Sequence, residues 1–185
     1  MLNRNAVAQK RTLPPTPVSV EPPSIPVWGN ALWRFLHGMC ERTGREIKKT
    51  KGVVDEEKRV WNILLQAIGV GLPCPQCRLH YKEYMMTHSY MHCITLTGES
   101  RKEALRKWLW ELHENVNLQT NKQPPSTVRL EDIPQMYGGY DNIRALDDFN
   151  IINDQTRKGM FVRMLVRENR IKLIHAMNEM MMILG

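Results

Sequence analysis

Cysteine is scarce in this 185-residue chain. Its four thiols, Cys40, Cys74, Cys77 and Cys93, are too few and too unevenly spaced to staple a small disulfide scaffold. Long apolar runs are missing too: no stretch approaches the roughly 20 uncharged apolar residues of a membrane helix, so a soluble chain with no membrane partner is expected. The opening residues, "MLNRNAVAQKRTLPPTPVSVEPPSIPV", lack the apolar segment of a secretory signal. Arg4, Lys10 and Arg11 precede the first acid, Glu21, which leaves a mitochondrial address open, although the prolines oppose an amphipathic helix there. Alternation of apolar and polar residues is nearly absent, which argues against half-buried strands. Basic residues outnumber acidic ones, 26 against 19. The densest basic run, "RTGREIKKTK" (42–51), nevertheless has no interleaved aromatics of the kind that stack bases, so no nucleic-acid partner is expected.

What is present is helical periodicity. The length suits one core with appendages. Residues 1–26 hold Pro14, Pro15, Pro17, Pro22, Pro23 and Pro26 and read as an extended, proline-rich tail. From Val27 onward apolar residues recur at helical spacing: Trp33, Leu36 and Cys40; then Trp61, Leu64, Leu65 and Ile68; then Leu105, Leu109, Leu112 and Val116. A further helix is expected from about Pro75 to His88, and Ser100 with Glu103 suggests a capping box at the start of the one that follows. The fold class is therefore all-α: a four-helix bundle over 27–140, with a short additional helix within 121–140 stopped by Gly138 and Gly139. Residues 141–185 form a C-terminal helical extension, in which "MFVRMLVRENRIKLIHAMNEMMMILG" reads as one long amphipathic helix ending in a Met-rich patch.

"GLPCPQCRLHY" (71–81) is the local unit that asks for a chemical reading. A thioredoxin-like CxxC follows a strand, and this one follows a helix. A zinc site would need two more ligands, for which His80, His88, His92 and Cys93 are candidates. The redox reading has favourable surroundings: Cys74 and Cys77 open a helix, whose positive end stabilises a thiolate, and Arg78 and Lys82 add positive charge. Oxygen accepts electrons from a dithiol only slowly, so an oxidising CxxC implies a flavin or metal mediator. "WGNALWRFLH" (28–37) places Trp33 and His37 on one helix face, and "WLWELHENVN" (108–117) places Trp110, His113 and Asn117 on another. Each face has a plainer explanation as ordinary core.

Taken in order, "WG…LW..LH", "CPQC..HY" and "W.WELHENVN" followed by Lys122 resemble the Erv/ALR family of FAD-linked sulfhydryl oxidases, in a compact form similar to those of large DNA viruses. The resemblance spans about Trp28 to Tyr137. It implies a four-helix FAD-binding bundle, commonly a homodimer, that oxidises protein dithiols and passes the electrons to molecular oxygen, giving hydrogen peroxide. It further implies that Cys77 is the flavin-proximal cysteine and Cys74 the one that exchanges with substrate. FAD contacts are implied for Gly29, Trp33, His37, Cys77, Trp110, His113, Asn117, Lys122 and Tyr137, and no metal is implied.

Cellular relatives often carry a shuttle cysteine pair, whereas residues 1–39 and 94–185 here contain no cysteine. Electrons must then arrive from another molecule, such as a thioredoxin-like or CxxC carrier protein, directly at Cys74. The usual "HN.VN" is "HENVN" here, a minor change. Cys40 and Cys93 read as free buried thiols, with a mutual disulfide or a functional role as the alternatives. The expected location is the cytoplasm of an infected cell or the virion, with the mitochondrial intermembrane space as the alternative. Two competing functions stay open: a zinc-stapled helical binding module and a non-catalytic virion or scaffold protein.

Overall fold

The computed structural model describes residues 20–44, 51–120 and 128–185. Helix α1 (Ile25–Arg42) starts where Pro26 occupies a first-turn position that needs no amide donor, and the Ser24 N–H bonds Oε1 of Gln155 at 2.7 Å. It is followed by α2 (Lys51–Gly71), α3 (Pro75–Thr87), a short α4 (Met91–Thr95) and α5 (Gly98–Gln119). A 3₁₀ turn (Leu130–Asp132) then leads into α6 (Ile133–Tyr137), α7 (Asn142–Phe161) and α8 (Arg167–Leu184). Among the described residues there is no strand, and no helix is long and apolar enough to cross a membrane. The all-α bundle expected from periodicity is what the chain forms.

The core gathers the predicted faces. Phe35, Leu36 and Met39 of α1 meet Trp61, Leu64, Leu65 and Ile68 of α2 and Leu105, Leu109 and Leu112 of α5, all buried. The Trp61 indole N–H is satisfied by Oγ1 of Thr43 at 2.8 Å. Charged pairs tie the helices where apolar contact stops. Arg106 of α5 forks onto both carboxylate oxygens of Glu41 at 2.6 and 2.8 Å, and Arg101 reaches Glu57 at 3.1 Å with both side chains sealed from solvent.

The C-terminal extension shares this core. Leu173, Ala176, Met177 and Met180 of α8 are fully buried in the shared core, in the most extensive helix pairing of the molecule, between α8 and α2. Each large side chain among them contributes about 1.5–3 kcal/mol of burial. The two helices approach so closely that a Cβ on Gly71 would lie 2.5 Å from the Cβ of Leu173. Helix α7 lies along α1 in the same way.

Three details differ from the sequence expectation. Residues 160–185 do not form one helix: α7 ends at Phe161 and α8 begins at Arg167. The break is a Schellman turn, with Arg163 N–H on Met160 O at 3.1 Å and Met164 N–H on Gly159 O at 2.8 Å. Its left-handed position, usually glycine, is Arg163 at φ 61°, which costs roughly 1–2 kcal/mol. Helix α7 itself escapes the periodicity test because its inward face mixes Ala145, Phe149 and Ile152 with Asp148, Gln155 and Thr156. The third difference is at α5, which begins at Gly98, upstream of the Ser100 capping box. Arg101 anchors that turn instead, donating to Leu96 O at 2.7 Å as well as to Glu57.

Candidate functional site

Cys74 and Cys77 form a disulfide across the start of α3, with Cα atoms 5.2 Å apart. Cys74 is the N-cap residue, and its sulfur accepts the Cys77 N–H at 3.1 Å. A helix that begins with Pro75 leaves such a donor unpaired within the helix, so the N-terminal turn directs partial positive charge at the Cys74 sulfur. Once the pair is reduced, that arrangement favours thiolate over thiol. Cys74 is buried, at 6% exposure, whereas Cys77 is half-buried. One turn further on, Arg78 donates to the carbonyls of Leu72 and Met164, holding the segment before the disulfide against the α7–α8 turn.

Both cysteines line an apolar cleft of about 240 Å³ between α1, α2, α3 and α5. Gly29 and Trp33 contribute its α1 wall, and Leu112 and Val116 its α5 wall. A Cβ on Gly29 would meet nothing within 4 Å, so the wall is open at that position. Next to it four rings gather. Trp33 stacks on His113 with centroids 4.0 Å apart and planes 10° from parallel, and His37 lies 5.8 Å from His113 and 5.1 Å from Tyr137. All four are sequence candidates, drawn from three helices, α1, α5 and α6, and one contact network joins them.

His37 is the anomaly in this cluster. It is 1% exposed, and neither ring nitrogen has a hydrogen-bond partner among the described residues. Burial pushes its pKa down to about 4, which keeps the imidazole neutral near pH 7. The buried Nε1–H of Trp28, in the cleft wall, is likewise unpartnered. Buried polar atoms are nearly always paired, so these groups fit a ligand with a polar edge. The apolar cleft beside a disulfide and the stacked rings fit a ligand with aromatic planes. That combination matches a flavin dinucleotide better than a purely apolar ligand.

The His37 geometry also sets a pH dependence. In the unfolded chain a histidine titrates near its ordinary value of about 6.5. Between pH 6.5 and 4 the unfolded state therefore takes up a proton that the folded state resists, and stability falls as pH falls through that window. The expected loss is roughly 2–4 kcal/mol. Melting curves from pH 7 to 4.5 should show a steeper decline in the wild type than in His37→Phe; parallel declines would remove the assignment.

Some candidates sit elsewhere. The Trp110 indole N–H is committed to Val128 O at 3.1 Å, and Trp110 does not join the ring cluster. Asn117 donates to Glu114 at 3.2 Å and is not in the cleft wall. Lys122 lies outside the described residues. The candidate zinc ligands are engaged locally: His80 with Gln76, His88 with Thr87 and His92 with Ser89 and Cys93. Among the described residues no group of three or more His, Cys, Asp or Glu side chains is disposed to hold a metal. Cys40 and Cys93 are free, fully buried thiols bonded to the α5 carbonyls of Lys102 and Ala104, and burial raises the pKa of both. Sequence reasoning missed Leu32, Leu72, Tyr81 and Leu112 as cleft residues, because an apolar residue facing a cleft carries the same periodicity as one facing a core.

Residues 30–134 match the family model of the Erv1/Alr family. No curated protein and no solved structure matches the chain. The family match covers more than half the sequence, and the chain belongs to the Erv1/Alr family, whose members are sulfhydryl oxidases with FAD as cofactor.

Proposed function

We propose that this Erv1/Alr protein oxidises dithiols of partner proteins to disulfides, with molecular oxygen as the final acceptor and hydrogen peroxide as the product. The observation that carries the reading is a Cys74–Cys77 disulfide in the wall of the cleft that Gly29 and Trp33 also line.

The thiol chemistry is complete within this pair. A partner thiolate attacks Sγ of Cys74, the S–S bond breaks and Cys77 leaves as thiolate. The partner's second thiolate then attacks its own sulfur in the mixed disulfide and releases Cys74. Two electrons and two protons have moved from the partner to the pair. The Cys77 N–H stabilises charge on Cys74 as it departs.

FAD, when bound, takes that electron pair from the reduced cysteines and delivers it to oxygen. Gly29, Trp33 and Cys77 would hold its ring system in the cleft, with His37, His113 and Tyr137 as the second aromatic group. Trp110, Asn117 and Lys122 complete the set that the family pattern assigns. The neutral His37 offers one donor and one acceptor, whichever tautomer it adopts.

The test is a visible spectrum of the purified protein under anaerobic dithiol. A flavin band that bleaches with dithiol and returns in air is the expected result; a colourless, zinc-containing protein would overturn the reading. The family resemblance carries the subsidiary proposal of a homodimer, and the likeness to viral forms that of action in infected cytoplasm or the virion. Sedimentation and fractionation of infected cells test them.

A further inference from the structure

Within this oxidase reading, the α7–α8 turn matters because it borders the segment that leads into Cys74. Cys74 is buried, and the residue before it, Pro73, packs against α7, where a Cβ on Gly159 would lie 2.8 Å from the Pro73 Cβ. The Arg78 bonds to Leu72 O and Met164 O fasten the same two segments together. A partner sulfur reaching Cys74 from this side passes the rim made by residues 161–167.

That rim is unusual in three respects. Phe161 and Val166 are 60% and 57% exposed, although flanking residues such as Leu165 are buried. Arg163 and Arg167 are exposed and make no ion pair among the described residues. From Phe161 to Lys172 the only acid is Glu168, against four Lys and Arg, while Arg157 and Lys158 further up α7 pair with Asp154; Arg167 adds positive charge at a helix end that already carries it. Finally, Arg163 occupies the left-handed position of a Schellman turn, where glycine would relieve the backbone. Strain kept at a solvent-facing turn beside a reactive disulfide points to use of the side chain.

We propose that Phe161, Arg163 and Arg167 form a recognition rim for the dithiol partner, selecting cysteine pairs flanked by acidic and apolar residues. The partner's carboxylates face Arg163 and Arg167, and an apolar side chain covers Phe161. No electron passes through the rim; it positions the partner for the exchange at Cys74.

The probes are two CxxC peptides, one flanked by Glu-Leu and the other by Lys-Leu, with dithiothreitol as a rim-independent substrate. For the flavin-loaded full chain, kcat/KM is expected to favour the Glu-flanked peptide by about tenfold or more at low salt, mostly through KM, and the gap narrows at high salt. Arg163→Gly should erase most of that preference, leave dithiothreitol turnover unchanged and raise the melting temperature, so lost selectivity cannot be attributed to unfolding. Arg167→Gln should act in the same direction. Equal oxidation of the two peptides by the wild type, or a parallel fall in dithiothreitol turnover in Arg163→Gly, overturns the rim. Failure to oxidise dithiothreitol at all instead overturns the oxidase reading on which the rim rests.

Discussion

Cys77→Ser and Cys74→Ser are each expected to lower dithiol turnover by roughly three orders of magnitude or more, since neither half of an exchanging disulfide works without the other. The two variants differ in what they trap. With Cys77 removed, Cys74 can be converted to its mixed disulfide with thionitrobenzoate; a single-cysteine partner thiolate then displaces thionitrobenzoate and stays bound as a stable mixed disulfide, which mass spectrometry should find there. Cys74→Ser should trap far less, if Cys77 faces the flavin. Efficient trapping at Cys77 alone, the more exposed of the pair, would reverse the two roles. Cys40→Ala and Cys93→Ala provide the contrast, because those thiols are sealed in the core and should affect stability while leaving turnover per folded molecule unchanged.

The helices that hold this pair were legible in the sequence for a physical reason. Trp61, Leu64, Leu65 and Ile68 face one purely apolar neighbourhood, so their spacing reports helix and burial together. Helix α7 was legible only as part of a helical extension, without bounds of its own, because Asp148 is buried against Arg34 and Tyr140 and breaks the apolar stripe. The site divides in the same way. Cysteines, tryptophans and histidines are conspicuous by type, so Cys74, Trp33, His37 and His113 could be nominated from spacing and family pattern. The gathering of Tyr137 with them depends on α6 folding back over α1, which no local signal encodes. The Schellman turn was hidden for the opposite reason, since its left-handed position carries arginine in place of the expected glycine.

The largest stability effect should come from Arg101→Leu. Arg101 and Glu57 are 1% and 2% exposed at the side chain, and the guanidinium also serves the carbonyls of Leu96 and Val54. Glu57 in turn receives the Gly44 N–H at 3.4 Å, so the pair joins the ends of α1, α2 and α5. Leucine would remove the Arg101 charge from beside a buried carboxylate and take one donor each from the Leu96 and Val54 carbonyls. Breaking such a pair from one side costs about 3–5 kcal/mol. In a chain of this size that lowers the melting temperature by roughly 6–20 °C. The double variant Arg101→Leu, Glu57→Leu should recover much of the loss, because no stranded charge remains. A single variant that melts within a degree or two of the wild type would show that water reaches Glu57 readily.

The pairing of α2 with α8 bears on how the protein is made. Helix α2 emerges early from the ribosome with an apolar stripe whose cover, Leu173, Ala176, Met177 and Met180, is translated far later. Until then the nascent chain carries an uncovered hydrophobic face, and folding cannot finish in the order of synthesis. Contacts so distant along the sequence also slow the final closure. A nascent chain stalled between α7 and α8 would therefore be a strong client for chaperones, with the CxxC helix already exposed and its supporting core still open.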